Sequence, residues 1–188
     1  MSATRDTRVL HTGRRFTFVE VEATLPDGRV VRNDIVRHPG AVAILPVLDG
    51  PRGREIVFVR NFRPTVDASI LELPAGTLES GEDPADCALR ELAEETGYRA
   101  SVIRPLGTFW TTPGLTDEVM HSYVATDLAH VGQSLDDGEH IDVETYPLTD
   151  VPGMLDRGDI RDGKSMVILM HAIQRGIFDG LAPNGGSA

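Results

Sequence analysis

GTLESGEDPADCALRELAEETGY, residues Gly76 to Tyr98, is the stretch whose reading decides the fold. Glu91, Glu94 and Glu95 fall within five positions, and on a helix residues three and four apart share a face. Like charges at that spacing cost about 0.2–0.5 kcal/mol per pair. One reading is a solvated surface face, with Arg90 pairing Glu94 and Glu95 pairing Arg99 at i, i+4. The flanks argue for more than that. Asp83 suits the N-cap, Pro84 the first helical position and Gly97 the C′ position. Ala88, Leu89 and Leu92 supply a core-facing stripe. The helix therefore has fixed ends and a fixed rotation, and its glutamates leave on the other side. Carboxylates gathered in this way suit a hard divalent cation, which takes oxygen ligands and bridges to phosphate.

The same stretch resembles the Nudix box, G-x5-E-x7-R-E-U-x-E-E-x-G-U with U a bulky apolar residue. Gly76, Glu82, Arg90, Glu91, Glu94, Glu95 and Gly97 stand at its specified positions, and Leu92 and Tyr98 fill the U positions. The resemblance implies a Nudix hydrolase, which cleaves a nucleoside diphosphate linked to another group. It implies an α/β fold, a Nudix α/β/α sandwich around a mixed β-sheet, and a loop-helix-loop that carries the metals. The implied cofactor is Mg²⁺, two or three ions per site, with Mn²⁺ able to substitute. The implied metal ligands are the backbone carbonyl of Ala75 and the carboxylates of Glu91 and Glu95, with Glu94 on a second ion. Glu82 is expected to hold Arg90 and so orient the helix, or to reach a metal through water.

Three flanking segments resemble the ADP-ribose pyrophosphatase branch: Val59 to Pro64 ahead of Glu72-Leu73-Pro74-Ala75-Gly76, Thr112-Pro113-Gly114, and Asp136 to Ile141. Pro113 lies 16 positions beyond Gly97, at the offset of that branch's marker proline. The branch implies hydrolysis of ADP-ribose to AMP and ribose 5-phosphate; the alternatives are another nucleoside diphosphate sugar such as GDP-mannose, or a domain that senses ADP-ribose without cleaving it. Arg63 matches a substrate-contacting arginine, a fork suited to phosphate or an adenine edge. Arg32 and Arg37 are further candidates, since asparagine occupies position 33 near which part of the family carries its arginine. Pro113 and Gly114 form a turn that would flank the nucleotide. Glu118 matches a glutamate that reaches the partner's substrate, and reads equally as a solvent-facing strand residue. In this branch a glutamate from the acidic loop acts as base or added ligand, and Glu139 is preferred to Asp137 and Asp136. His38, His121, His140 and His171 show no metal spacing and read as structural.

Composition bounds the rest. The chain has 188 residues, 40% hydrophobic, which suits one domain with a small annex. A net charge of −11 disfavours nucleic acid. No apolar run approaches a membrane span, and the single cysteine, Cys87, fits a reducing cytoplasm.

The pattern predicts a frayed N-terminus over residues 1–13, then a hairpin with strands Phe16 to Thr24 and Arg29 to Val36 about Pro26-Asp27-Gly28. Ala41 to Leu48 and Glu55 to Arg60 read as buried strands. Further strands are expected at Ile70–Leu73, Val102–Trp110, Glu118–Ala125 and Ile141–Tyr146, with an acidic loop from Asp127 to Glu139. Helices are expected at Val151–Arg157 and, as one element, Lys164–Phe178. The expected divisions are a β-hairpin subdomain over 1–38, a Nudix domain over 39–180 and a flexible tail over 181–188. A lone hairpin cannot bury its apolar face, which points to a homodimer.

Overall fold

A computed structural model of the chain describes residues 5–13, 16–50, 53–135 and 140–181. Three antiparallel strands come first: β1 (Arg5–Thr12), β2 (Thr17–Thr24) and β3 (Val30–Arg37). The β2–β3 turn is the one the sequence predicts. Gly28 takes φ 84° and its N–H donates to Leu25 O, while Asp27 accepts from Arg29 N. β1 lies where the pattern predicts fraying. Its charged residues hide a strand that pairs with β2 through one register shift between Val9 and His11: Val9 lies opposite Val19, and the Arg8 guanidinium bonds Glu20 across the ladder. The expected hairpin thus supplies the central strand and one edge of a three-stranded sheet, with β1 as the other edge.

The second sheet has seven strands: β4 (Ala41–Gly50), β5 (Gly53–Arg63), β6 (Ala68–Glu72), β7 (Ala75–Thr77), β8 (Tyr98–Trp110), β9 (Val119–His130) and β10 (Ile141–Pro147). The order is β10-β5-β4-β9-β8, with β6 on β5 and β7 on β4. Ala41 to Val47 are all buried, as a strand covered on both faces requires. β4 changes partner along its length: Ala41–Ala43 pair with β7, and Val47–Gly50 pair with β5. Pro46, which has no N–H to donate to a ladder, stands between the two pairings.

Helix α1 (Pro84–Thr96) packs through Cys87, Ala88 and Leu92 on Val42 and Ile44. Ala43, Leu45 and Val47 point to the opposite face and are equally buried. A 3-10 turn (Leu148–Asp150) leads to α2 (Val151–Arg157), then α3 (Gly163–Gln174) and α4 (Ile177–Leu181). α3 packs on β4 through the face that carries Ile168, Leu169 and Ala172. These layers form the α/β/α sandwich that the sequence resemblance implies. The helix expected over Lys164–Phe178 is two helices, because Gly176 adopts a left-handed φ of 65° between them. β8 begins directly after Gly97, and β9 runs on to His130 into what the pattern gives as loop. The chain divides into two compact units, one comprising Met1–Gly40 with Phe109–Met120 and the other Ala41–Thr108 with His121–Ala188.

Candidate active site

The larger unit carries the whole glutamate-rich stretch. The Asp83 carboxylate accepts from Ala85 N at 2.8 Å, and Gly97 closes α1 in the left-handed region at φ 70°. A side chain at Gly97 would lie 2.8 Å from Gln133 N and 2.9 Å from Gly132 C. Only glycine fits there. Both ends and the rotation of α1 are therefore fixed, as its sequence implies.

Arg90 organises the acidic face. Its Nε and Nη2 donate to the two oxygens of Glu82 at 2.9 and 3.1 Å, and its Nη1 to Glu91 at 2.8 Å and Glu94 at 3.0 Å. One guanidinium thus offsets three carboxylates. Its hydrogen bond is the chief reason the Glu82 carboxyl is pulled down to about 2. The same bond raises the Arg90 guanidinium above its ordinary value. Of the two roles the sequence leaves to Glu82, the geometry shows the salt bridge.

Glu91 and Glu95 turn toward β7. A Cβ at Gly76 would lie 1.8 Å from Glu91 Cδ, so the glycine is the cradle in which that carboxylate rests. Glu95 is only 5% exposed, and its carboxylate accepts from Ala75 N at 3.0 Å. Among the described residues no group of three or more His, Cys, Asp or Glu side chains is placed to hold a metal ion. The donors still fit a hard cation. They are carboxylate oxygens on one helix face, and a buried carboxylate against the strand bearing Ala75 and Gly76 is the chemistry that a divalent ion selects.

A buried network behind the box is absent from the sequence reading. Arg63 Nε and Nη2 both donate to Glu72 at 2.6 Å. Glu72, 1% exposed, also takes a bond from Lys164 Nζ. Lys164 Nζ is 3.0 Å from Asp162, which caps α3 through Ser165 N and accepts from Ser165 Oγ at 2.5 Å; that Oγ accepts from Leu73 N at 2.7 Å. Burial alone would raise the Glu72 carboxyl, but the Arg63 hydrogen bonds and the Lys164 charge hold it below the ordinary carboxylate value. The network ties the strand that enters the box to α3. The fork of Arg63 is engaged inside the protein, and only its Nη1 takes no part in the pair. The sequence signal was Glu72 itself, a lone carboxylate in the apolar run Ile70-Leu71-Glu72-Leu73.

The smaller unit holds the remaining expected binding residues. Arg32 pairs with Glu22 at 2.7 Å on the exposed sheet. Arg37 donates to Asp117 at 2.6 Å, and the other Asp117 oxygen accepts from His38 N. Burial would raise the Asp117 carboxyl, yet those hydrogen bonds keep it below its ordinary value. Glu118 accepts from Thr111 Oγ1 at 2.5 Å and lies 3.4 Å from His38 Nε2. His38 Nδ1 accepts from Gly40 N, and the ring stacks on Phe16 at 4.9 Å. Such satisfaction on every side fits its structural reading. Pro113 and Gly114 occupy a turn closed by Leu115 N donating to Thr112 O. Glu139, with Asp136 and Asp137, lies outside the described residues.

A sheet covered by helices on both sides, with a glycine-cradled carboxylate helix, defines a diphosphate hydrolase of the Nudix type. Comparison with known proteins agrees: the NUDIX domain profile matches residues 37–167, and the chain belongs to the Nudix family as a Nudix hydrolase. It is 35% identical to the ADP-ribose pyrophosphatase of Bacillus subtilis (strain 168) over 164 residues, 86% of this chain and 87% of that one. It is 30% identical to the GDP-mannose pyrophosphatase of Cronobacter sakazakii over 173 residues, 86% of this chain and 88% of that one. A crystal structure of an ADP compounds hydrolase superposes with a TM-score of 0.83 at 22% identity, covering 97% of this chain and 98% of that one. Nudix hydrolases as a class depend on divalent metals. Among the described residues no helix is long and apolar enough to cross a membrane.

Proposed function

We propose that this hydrolase cleaves the diphosphate of ADP-ribose to AMP and ribose 5-phosphate. The observation that carries the reading is the intact acidic face of α1, with Glu91 cradled at Gly76 and Glu95 buried against Ala75. The similarity to an ADP-ribose pyrophosphatase supports the substrate. Mg²⁺ is the preferred ion, at two or three per site and replaceable by Mn²⁺, held by the Ala75 carbonyl with Glu91, Glu94 and Glu95. When bound, the ions supply positive charge against the diphosphate oxygens as the transition state forms.

The chain's own residues do the rest. Arg90 keeps Glu82, Glu91 and Glu94 in register before any ion arrives. Glu139 takes the proton of the attacking water, a step that needs hydrogen-bond reach. Arg63, Arg32, Arg37, Pro113, Gly114 and Glu118 contact the nucleotide sugar in this proposal. For Arg63 the donor nitrogen outside the Glu72 pair is Nη1. The molecule acts as a homodimer in the cytoplasm, where its one cysteine, buried Cys87, needs no partner.

A substrate panel with product identification tests the reading. ADP-ribose should give the larger kcat/KM, with AMP and ribose 5-phosphate as products. A larger kcat/KM for GDP-mannose would move the substrate assignment to that sugar and leave the family unaffected. Glu139→Gln should lower kcat far more than it changes KM; a larger kcat loss in Asp137→Asn would transfer the base to Asp137.

A further inference from the structure

The far end of the second sheet carries a concavity separate from the box. Three of its strands each present two alternate residues to it: Val47 and Asp49 on β4, Val124 and Thr126 on β9, Leu106 and Arg104 on β8. Residues two apart on a strand share a face, so the buried Val47, Leu106 and Val124 form an apolar floor beside a polar rim. Arg54, Asp127, Arg175 and Ile177 complete the wall. The cavity measures 460 Å³, within the roughly 300–1,000 Å³ typical of small-molecule sites.

This place is remote from the acidic face of α1. The box strand β7 pairs with Ala41–Ala43 at the start of β4, whereas the cavity takes Val47 and Asp49 near its end. The run from Ala43 to Asp49 spans about 20 Å of extended strand. Val47 also points away from the face on which Val42 and Ile44 meet α1.

Its chemistry is unusual for a chain of net charge −11. Three guanidiniums, Arg54, Arg104 and Arg175, face two carboxylates, Asp49 and Asp127. Arg54 leans on Asp49 at 3.3 Å, and Arg175 is anchored by donating from Nη1 to Leu106 O at 2.9 Å. Arg104 is exposed and has no hydrogen-bond or ion-pair partner among the described residues. Asp127 holds a left-handed φ of 55°, a conformation that non-glycine residues adopt only at a cost. Two guanidiniums with donors to spare suit a dianion better than a carboxylate. A carboxylate and a hydroxyl at the rim suit neighbouring ligand hydroxyls, and the aliphatic floor suits a flat ring.

We propose that this cavity is a binding site for a nucleoside monophosphate, with the phosphate on Arg104 and Arg175, the ribose hydroxyls on Asp127 and Thr126, and the base over Val47, Leu106, Val124 and Ile177. The site does not depend on the substrate reading above. If that reading holds, the AMP released is itself such a ligand.

The test is a calorimetric titration of AMP into the full chain with EDTA present, run in parallel on wild type, a Glu91→Gln/Glu95→Gln double variant, Arg104→Glu and Arg175→Gln. Wild type and the box variant should each bind one equivalent with similar affinity. Arg104→Glu should weaken binding at least tenfold at an unchanged melting temperature, Arg175→Gln should weaken it at least tenfold, and inorganic phosphate should bind wild type at least tenfold more weakly than AMP. The proposal is overturned by absence of binding at millimolar AMP or by full affinity in Arg104→Glu. Loss of binding in the box variant, or phosphate binding as tightly as AMP, would overturn it too. ADP-ribose hydrolysis, assayed separately, reports on the substrate reading alone: Arg104→Glu should keep the wild-type kcat/KM.

Discussion

At the scale of single residues, the acidic face of α1 is held by one cation and one missing side chain. Arg90 bonds Glu82, Glu91 and Glu94, so the repulsion expected from the sequence is offset before a metal is present. The Glu82 carboxyl is lowered to about 2 by that contact, from an ordinary value of about 4.3. A depressed carboxyl contributes stability above its unfolded value and loses it as pH falls through its folded value. Metal-free Glu82→Gln should therefore unfold at lower urea than wild type at pH 7, and the gap should close between about pH 4.3 and 2. A gap independent of pH would mean that Glu82 acts by shape and not by charge. Gly76 supplies the missing side chain. A methyl there would lie 1.8 Å from Glu91 Cδ, so Gly76→Ala must displace that carboxylate. It should cut kcat on the order of 10²-fold while helix content by circular dichroism is kept. Wild-type turnover would show that the position of Glu91 does not matter to the reaction.

At the scale of elements, the box is supported by a network joining β6 to α3. Glu72 is 1% exposed and shares its two oxygens between Arg63 and Lys164. Removing either cation leaves the other, so Lys164→Met should cost about 1 kcal/mol in urea unfolding, and Arg63→Met a similar amount. Removing both strands a buried carboxylate, a loss of about 3–5 kcal/mol by itself, so the double variant should lose more than the sum of the singles. Strict additivity would show that Glu72 is not shared. What was legible in the sequence follows from the range of each signal. The β2–β3 turn, the buried run of β4 and the capped helix α1 are written in neighbouring residues. So are Glu82, Arg90, Glu91, Glu94 and Glu95, which the fold gathers as their spacing implies. The partners of Glu72 were not legible, because Lys164 stands 92 residues away and no periodicity links the two. β1 was obscured by Asp6 and Arg8, whose charges lie exposed on the sheet. The break between α3 and α4 depends on one glycine at a left-handed φ, which amphipathic spacing overrides on paper.

At the scale of the whole molecule, the smaller unit has apolar surface and little interior. Val19 and Val21 are buried in its sheet, but Val9 is 59% exposed, Val30 56%, Trp110 66% and Leu115 53%, and Phe16 and Phe18 are also open. Exposed apolar side chains in such number offer an interaction surface. A second copy of the chain is the partner that would cover it on both subunits through one twofold contact. Arg32 and Arg37, on β3, stand within the unit that such a contact would engage, so assembly and substrate affinity would be coupled. Light scattering at micromolar concentration should give about twice the 20.4 kDa chain mass. Replacing Phe18 and Trp110 by Glu should shift the protein to monomer and raise KM for ADP-ribose more than it lowers kcat, since α1 and the box lie in the other unit. Deleting residues 1–38 should have the same effect on mass and a larger one on KM, because Arg32 and Arg37 leave with the strands. Wild-type protein that scatters as a fully active monomer would remove the need for the partner, and the exposed phenylalanines and tryptophan would then have to be explained within a single chain.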